Sequence, residues 1–178
     1  QTVGSIENPD SPTDMSVLEF MGGHFARYLQ ERAENPGHDL LSELVTIDYP
    51  DGSRPDLIEL ISLAVFMFAA GQDTSAKLLG NSMRYIVDTP GLQQQLRDDR
   101  QLIPWMLEEV LRLEGSTKAT HRVARRDTQI GGVKVPAGKA VIVALAAGNR
   151  DPRRWGADAN EFKLKRQGIR EHIAFGRG

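Results

Sequence analysis

Residues 56–88, DLIELISLAVFMFAAGQDTSAKLLGNSMRYIVD, decide the fold. More than thirty residues pass without a proline, and Leu57, Leu60, Ile61, Ala64, Val65 and Phe68 recur at helical spacing along one stripe. Leu63, Phe66, Met67 and Ala70 cover the other sides, so the middle of the helix is apolar all round. Such a helix, about 50 Å long at 1.5 Å per residue, runs through the centre of a domain and needs protein on every side. The remaining residues of a 178-residue chain are few for that task. The longest charge-free apolar run, 60–70, is shorter than the ~20 residues of a bilayer span, so it reads as a buried helix with no membrane partner.

Working outward, residues 1–14 are polar and carry two prolines, which predicts a loop or frayed terminus. Val17, Leu18, Met21, Phe25 and Leu29 predict a helix over 15–33, stopped at Asn35-Pro36-Gly37, and 40–47 predicts a shorter one closed by a turn at 48–53. Past Thr89-Pro90-Gly91 come helices over 92–98 and 102–113. After Gly115 the period changes: 129–135 and 139–145 read as short strands joined by turns, and 155–170 as irregular loop. The fold class is mainly α with a small β-sheet region.

Composition removes several functions. Lys and Arg number 22 against 24 Asp and Glu, a net charge of −2 without a basic block, which argues against a nucleic-acid partner held by phosphate neutralisation. There is no cysteine, so a disulfide framework, a zinc ribbon and a cysteine nucleophile are excluded within these residues. His24, His38, His121 and His172 are too scattered for a metal-binding pair on one helix face. The chain begins at Gln1 with no visible secretion signal and stops in an apolar, glycine-rich stretch; we expect a chain cut at both ends, from a cytoplasmic protein.

Three groups of residues have chemical potential. Asp73 and Thr74 follow directly on the apolar run, which would put an acid and a hydroxyl in the core, and Gly71 removes side-chain bulk where a ligand could press on the helix. A tolerated glycine, with Thr74 bonding back to a carbonyl, accounts for them equally well. On the helix over 102–113, Glu109 falls inside the apolar arc and Glu108 in its polar gap, so Glu109 is the expected buried partner of Arg112. Arg122, Arg166 and His172 are scattered cations, each singly a surface side chain unless the fold gathers them about an anion.

In this order, the motifs resemble the cytochrome P450 family, the haem-thiolate monooxygenases, in its bacterial form. Ala70-Gly71-Gln72-Asp73-Thr74 resembles the oxygen-activation segment of the family's long central helix, and Glu109-Val110-Leu111-Arg112 its Glu-x-x-Arg motif. Arg122 matches an arginine that meets a haem propionate, Arg166 the third member of an ion-paired triad, and His172 to Gly178 the opening of the haem-binding loop. The likeness implies that 15–178 is the middle-to-late part of a single, incomplete P450 domain built around the long helix. The loop would continue past Gly178 to the axial cysteine, so no metal ligand lies within the chain.

What the resemblance implies chemically is a monooxygenase that inserts one atom of O₂ into a small organic substrate. Its cofactor would be haem b, iron protoporphyrin IX, and a ferredoxin or flavoprotein linked to NAD(P)H would supply electrons. Asp73 and Thr74 would be catalytic, Thr74 as donor to dioxygen and Asp73 as proton supply. Ala70, Gly71, Arg122, His172 and Phe175 would bind the cofactor, with Phe175 shielding the thiolate side. Glu109, Arg112 and Arg166 would form the structural ion pair. The fragment alone would be inactive. The alternative is a helical scaffold or partner-binding domain without haem, in which Asp73, Thr74 and the ion pair are structural.

Overall fold

The computed structural model describes residues 15–177, so the loop expected over 1–14 lies outside the described residues. Seven α-helices, four short strands and one 3-10 turn follow in order among them: α1 (Met15–Glu34), α2 (Leu40–Thr46), α3 (Leu57–Asp88), α4 (Leu92–Asp98), α5 (Leu102–Glu114), β1 (Thr120–Val123), β2 (Thr128–Ile130), β3 (Val133–Val135), β4 (Ala140–Val143), α6 (Leu145–Gly148), α7 (Pro152–Trp155) and the turn Ile169–Glu171. The mainly α class with a small β region holds. Contacts divide the chain into two units, Gln1–Gln72 and Asp73–Gly178, and α3 contributes a half to each.

In the first unit, Leu29 of α1, Leu44 of α2 and Leu60 of α3 form a core, with Leu41, Val45 and Ile61 packed on it. The link from α1 to α2 is tied by Asp39, which caps α2 by accepting from the Ser42 amide at 2.9 Å and takes the Arg32 guanidinium at 2.7 Å. The Arg32 bond, helped by Ser42, lowers the Asp39 carboxyl to about 2.

In the second unit, α4 and α5 enclose Leu92, Leu96, Leu102, Met106 and Val110, against which Leu78, Tyr85 and Ile86 of α3 and Phe162 and Leu164 pack. Tyr85 stacks on Phe162 with centroids 4.9 Å apart. The strands form two separate antiparallel pairs, β1 with β4 (Arg122 opposite Val141) and β2 with β3. The β2–β3 hairpin turns on Gly131 and Gly132, whose φ of 56° and 85° suit a primed two-residue turn.

Three expectations need correction. β1 was not foreseen, because Thr-His-Arg-Val has no strand-like alternation of its own and takes its form from pairing with β4. Leu145, expected to end a strand, instead opens α6.

The third concerns α3. It is a continuous α-helix from Leu57 to Asp88, without the departure from helical geometry expected at Ala70–Thr74, and it is not buried all round. Leu60 and Ala64 are buried, but every residue from 66 to 77 is exposed, Phe66 by 68%. Asp73 and Thr74 are therefore not inside a core here. The reason is quantity of protein: a helix apolar on all sides needs neighbours on all sides, and the described residues supply them on only part of its surface. Taken over its whole length, α3 is long and apolar enough to cross a membrane, a criterion that core helices of soluble proteins also meet.

Candidate functional site

The second unit is organised by two arginines. Arg112, fully buried on α5, has five guanidinium N–H groups and all five are used. Two go as a fork to Glu109, Nε to Oε2 and Nη2 to Oε1, each at 2.8 Å. The others reach the carbonyls of Asn149 (2.8 Å), Ala159 (2.6 Å) and Glu161 (3.2 Å). The Trp155 ring lies against the same guanidinium at 5.1 Å.

Arg166 completes the arrangement. Its Nε donates to Glu109 Oε1 at 2.9 Å, its Nη1 to Asp158 at 2.9 Å, and its Nη2 to the carbonyls of Asp158 and Glu161. Glu109, also fully buried, accepts in addition from the Lys163 amide at 3.0 Å. Burial would lower the Arg166 pKa, but the bonds to Glu109 and Asp158 outweigh it and hold the group above its ordinary value. Lys163, in close ion contact, and Arg166 together lower the Asp158 carboxyl to about 2. Two cations and one fully buried carboxylate thus pin an irregular stretch, residues 149–166, that has little regular hydrogen bonding of its own.

A cleft of about 370 Å³ is lined by Thr74, Ser75, Leu78, Leu111, Ser116, Thr117, Ala174 and Phe175. None of these is charged. Ser116 ties the cleft to α3 by donating to the Thr74 carbonyl at 2.8 Å, and Asn81 donates to the Glu114 carbonyl at 2.9 Å. Phe175 is 82% exposed at the rim. Gly115, at the end of α5, allows the close approach of Ala174: an added Cβ would stand 3.2 Å from the Ala174 Cβ and 2.8 Å from the Leu111 carbonyl.

The sequence-derived candidates are therefore placed in different company. Glu109, Arg112 and Arg166 are joined in one network, and Thr74 and Phe175 line one cleft. Ala70 and Gly71 lie on the exposed face of α3, and a Cβ at Gly71 would meet open space. Asp73 is paired with Lys77 at 2.6 Å on that surface. Arg122, exposed on β1, bonds the Thr120 hydroxyl and the His121 carbonyl and has no acidic partner among the described residues. His172 is buried, with Nε2 2.7 Å from Glu108 Oε2 and Nδ1 accepting from the Ala174 amide. Both its ring nitrogens are thus engaged by protein.

Sequence reasoning missed Glu108, Asp158, Asn149 and Ser116. Asn149 is 2% exposed, and its Oδ1 accepts from the Ile173 amide at 2.8 Å. No local pattern marks Glu108, Asn149 and Ser116, because each meets a partner far along the chain, and Asp158 meets Lys163 and Arg166 across an irregular loop with no period to read.

In the cleft, Leu78, Leu111, Ala174 and Phe175 offer apolar wall, and four hydroxyl side chains a polar edge. Arg122 is a cation to which no carboxylate among the described residues is committed.

Comparison with known proteins places the chain in a family. The sequence profile of the cytochrome P450 family matches residues 26–178. The monooxygenase PikC of Streptomyces venezuelae is 34% identical over 172 residues, which are 96% of this chain and 41% of PikC. Cytochrome P450 144 of Mycobacterium tuberculosis is 31% identical over 175 residues, 98% of this chain and 40% of its own. Among solved structures, substrate-free CYP150A6 of Mycobacterium marinum superposes with a TM-score of 0.83 at 44% identity, covering 92% of this chain and 40% of that one. The chain spans about two-fifths of the length of these relatives.

Proposed function

The chain belongs to the cytochrome P450 family, and on that premise we propose that it is part of a haem-dependent monooxygenase that inserts one oxygen atom from O₂ into a small organic substrate. The observation that carries the proposal is an uncharged cleft lined by both Thr74 and Phe175. Haem b bound there would supply reductive activation of O₂, with electrons from an NAD(P)H-linked ferredoxin or flavoprotein. These residues contain no cysteine, so a thiolate ligand to the iron would have to be supplied from elsewhere. On this reading the protein is cytoplasmic and needs neither a membrane nor nucleic acid.

Each residue has a task. The Thr74 hydroxyl donates a hydrogen bond into the cleft and orients the proton needed there. Asp73, on the aqueous side of α3, exchanges protons with solvent and passes them on, releasing Lys77 to do so. Ala70 and Gly71 keep the helix surface low beside them. Arg122 meets a propionate, a charge-assisted contact for which its guanidinium is uncommitted to any acid among the described residues. Phe175 shields the opposite side from water and lowers the local dielectric.

A second reading, a helical scaffold without haem, is favoured by the unbroken α3 and the Asp73–Lys77 surface pair. One experiment separates the two. The protein carrying this segment, purified, reduced and treated with carbon monoxide, should show a strongly red-shifted Soret band, and Thr74→Ala should retain haem while diverting electrons to peroxide. Asp73→Asn should instead slow turnover. Purification without haem leaves the scaffold reading in place.

A further inference from the structure

Glu108 was expected to be a solvated side chain, yet it is the acceptor for one of the most buried polar side chains in the second unit. The His172 side chain is 4% exposed, and its Nε2 lies 2.7 Å from Glu108 Oε2. Its other ring nitrogen lies 3.2 Å from the backbone nitrogen of Ala174. A backbone N–H can only donate, so Nδ1 must be an acceptor without a proton. Nε2 then carries the ring proton and donates it to Glu108. The two contacts define one neutral tautomer, and each depends on the other.

Nearby groups leave no substitute for Glu108. The adjacent carboxylate, Glu109, is turned away and engaged by Arg112, Arg166 and the Lys163 amide. Glu171 is held by Arg154, and Arg177 donates to the Glu171 carbonyl. Ala174, whose amide the tautomer captures, and Phe175, which follows it, are both walls of the cleft. The residue between His172 and Ala174 is fixed independently by the Ile173 amide on Asn149, and by Gly148, where a Cβ would come within 2.8 Å of the Ile173 side chain.

We propose that Glu108 is a positioning residue for the cleft: it selects the Nε2–H tautomer of His172, which accepts the Ala174 amide and so holds Ala174 and Phe175 as cleft wall. The link to cofactor binding rests on the haem reading above, whereas the link from Glu108 to Ala174 does not.

The test uses the full chain and two variants at an exposed enough site to fold, Glu108→Ala and Glu108→Gln. Nitrogen-15 NMR of the imidazole reads the tautomer, and hydrogen exchange reads the Ala174 amide. A glutamine side-chain oxygen can still accept from Nε2–H, so Glu108→Gln should retain both signatures. Glu108→Ala should shift the ring away from a pure Nε2–H form and speed exchange at Ala174 by about tenfold or more. In the haem-loaded protein, Glu108→Ala should release haem faster, with recovery in Glu108→Gln. An unchanged tautomer and exchange rate in Glu108→Ala, or equal acceleration in Glu108→Gln, overturns the proposal. Failure of the parent protein to take up haem would defeat the cofactor reading, while the NMR result would still decide the role of Glu108.

Discussion

Two acid–base pairs sit one helical turn apart on helices of this chain, in opposite surroundings. Glu109 and Arg112, three residues apart on α5, are both fully buried, and every guanidinium N–H of Arg112 has an acceptor. Asp73 and Lys77, four apart on α3, are 55% and 52% exposed and are bonded to each other at 2.6 Å. The shorter contact is the weaker one energetically. Water competes for Asp73 and Lys77 and screens their attraction. For Glu109, loss of Arg112 or Arg166 would leave a carboxylate with no water to receive it. Distance alone does not rank ion pairs; what remains when one partner is removed does.

The largest expected effect tests that difference directly. Glu109→Ala should cost about 3–5 kcal/mol in denaturant unfolding of the second unit, since two buried guanidinium groups lose a shared acceptor. A loss no greater than that from removing a surface pair would erase the contrast.

A smaller effect belongs to the edge of the same network and is read by pH. The Asp158 carboxyl, held at about 2 by Lys163 and Arg166, lies below its ordinary unfolded value of 3.8. A depressed folded value means stabilisation that is present above pH ~4 and disappears as pH falls toward 2. Acid titration of unfolding should therefore be less steep in Asp158→Asn over that interval, while the slope contributed by Asp39 in the first unit persists. Parallel acid curves for parent and variant would show that Asp158 is not coupled to folding.

The smallest effect is at the exposed pair. Lys77→Ala should change stability by about 0.3–0.5 kcal/mol at low salt, and less at high salt. A loss above 1 kcal/mol would mean that Asp73 is more enclosed than its surface position allows.

Much of the helical framework was legible locally. Proline, glycine and apolar period alone bracket α3, expected over 56–88 and found at Leu57–Asp88, and place α4 at Leu92–Asp98. The helical wheel also separated Glu109 from Glu108, because burial of one face of α5 is written in where its apolar residues recur. It could not show that Glu108 meets His172, a partner 64 positions away, or that Arg112 takes the carbonyls of Asn149 and Ala159. Those acceptors are backbone atoms, and backbone atoms carry no residue identity to read.

The sequence by itself determined the five longer helices, the change to short strands after Gly115 and the need of the α3 midsection for apolar neighbours, since all three follow from local dihedral preference and period. Only tertiary structure decided which surfaces of α3 are covered, that β1 becomes a strand against β4, and that Glu108, His172 and Ala174 form one hydrogen-bonded chain. The reason is physical: propensity and amphipathicity act over a few residues, whereas burial, strand pairing and the satisfaction of polar atoms depend on what the rest of the chain brings into contact.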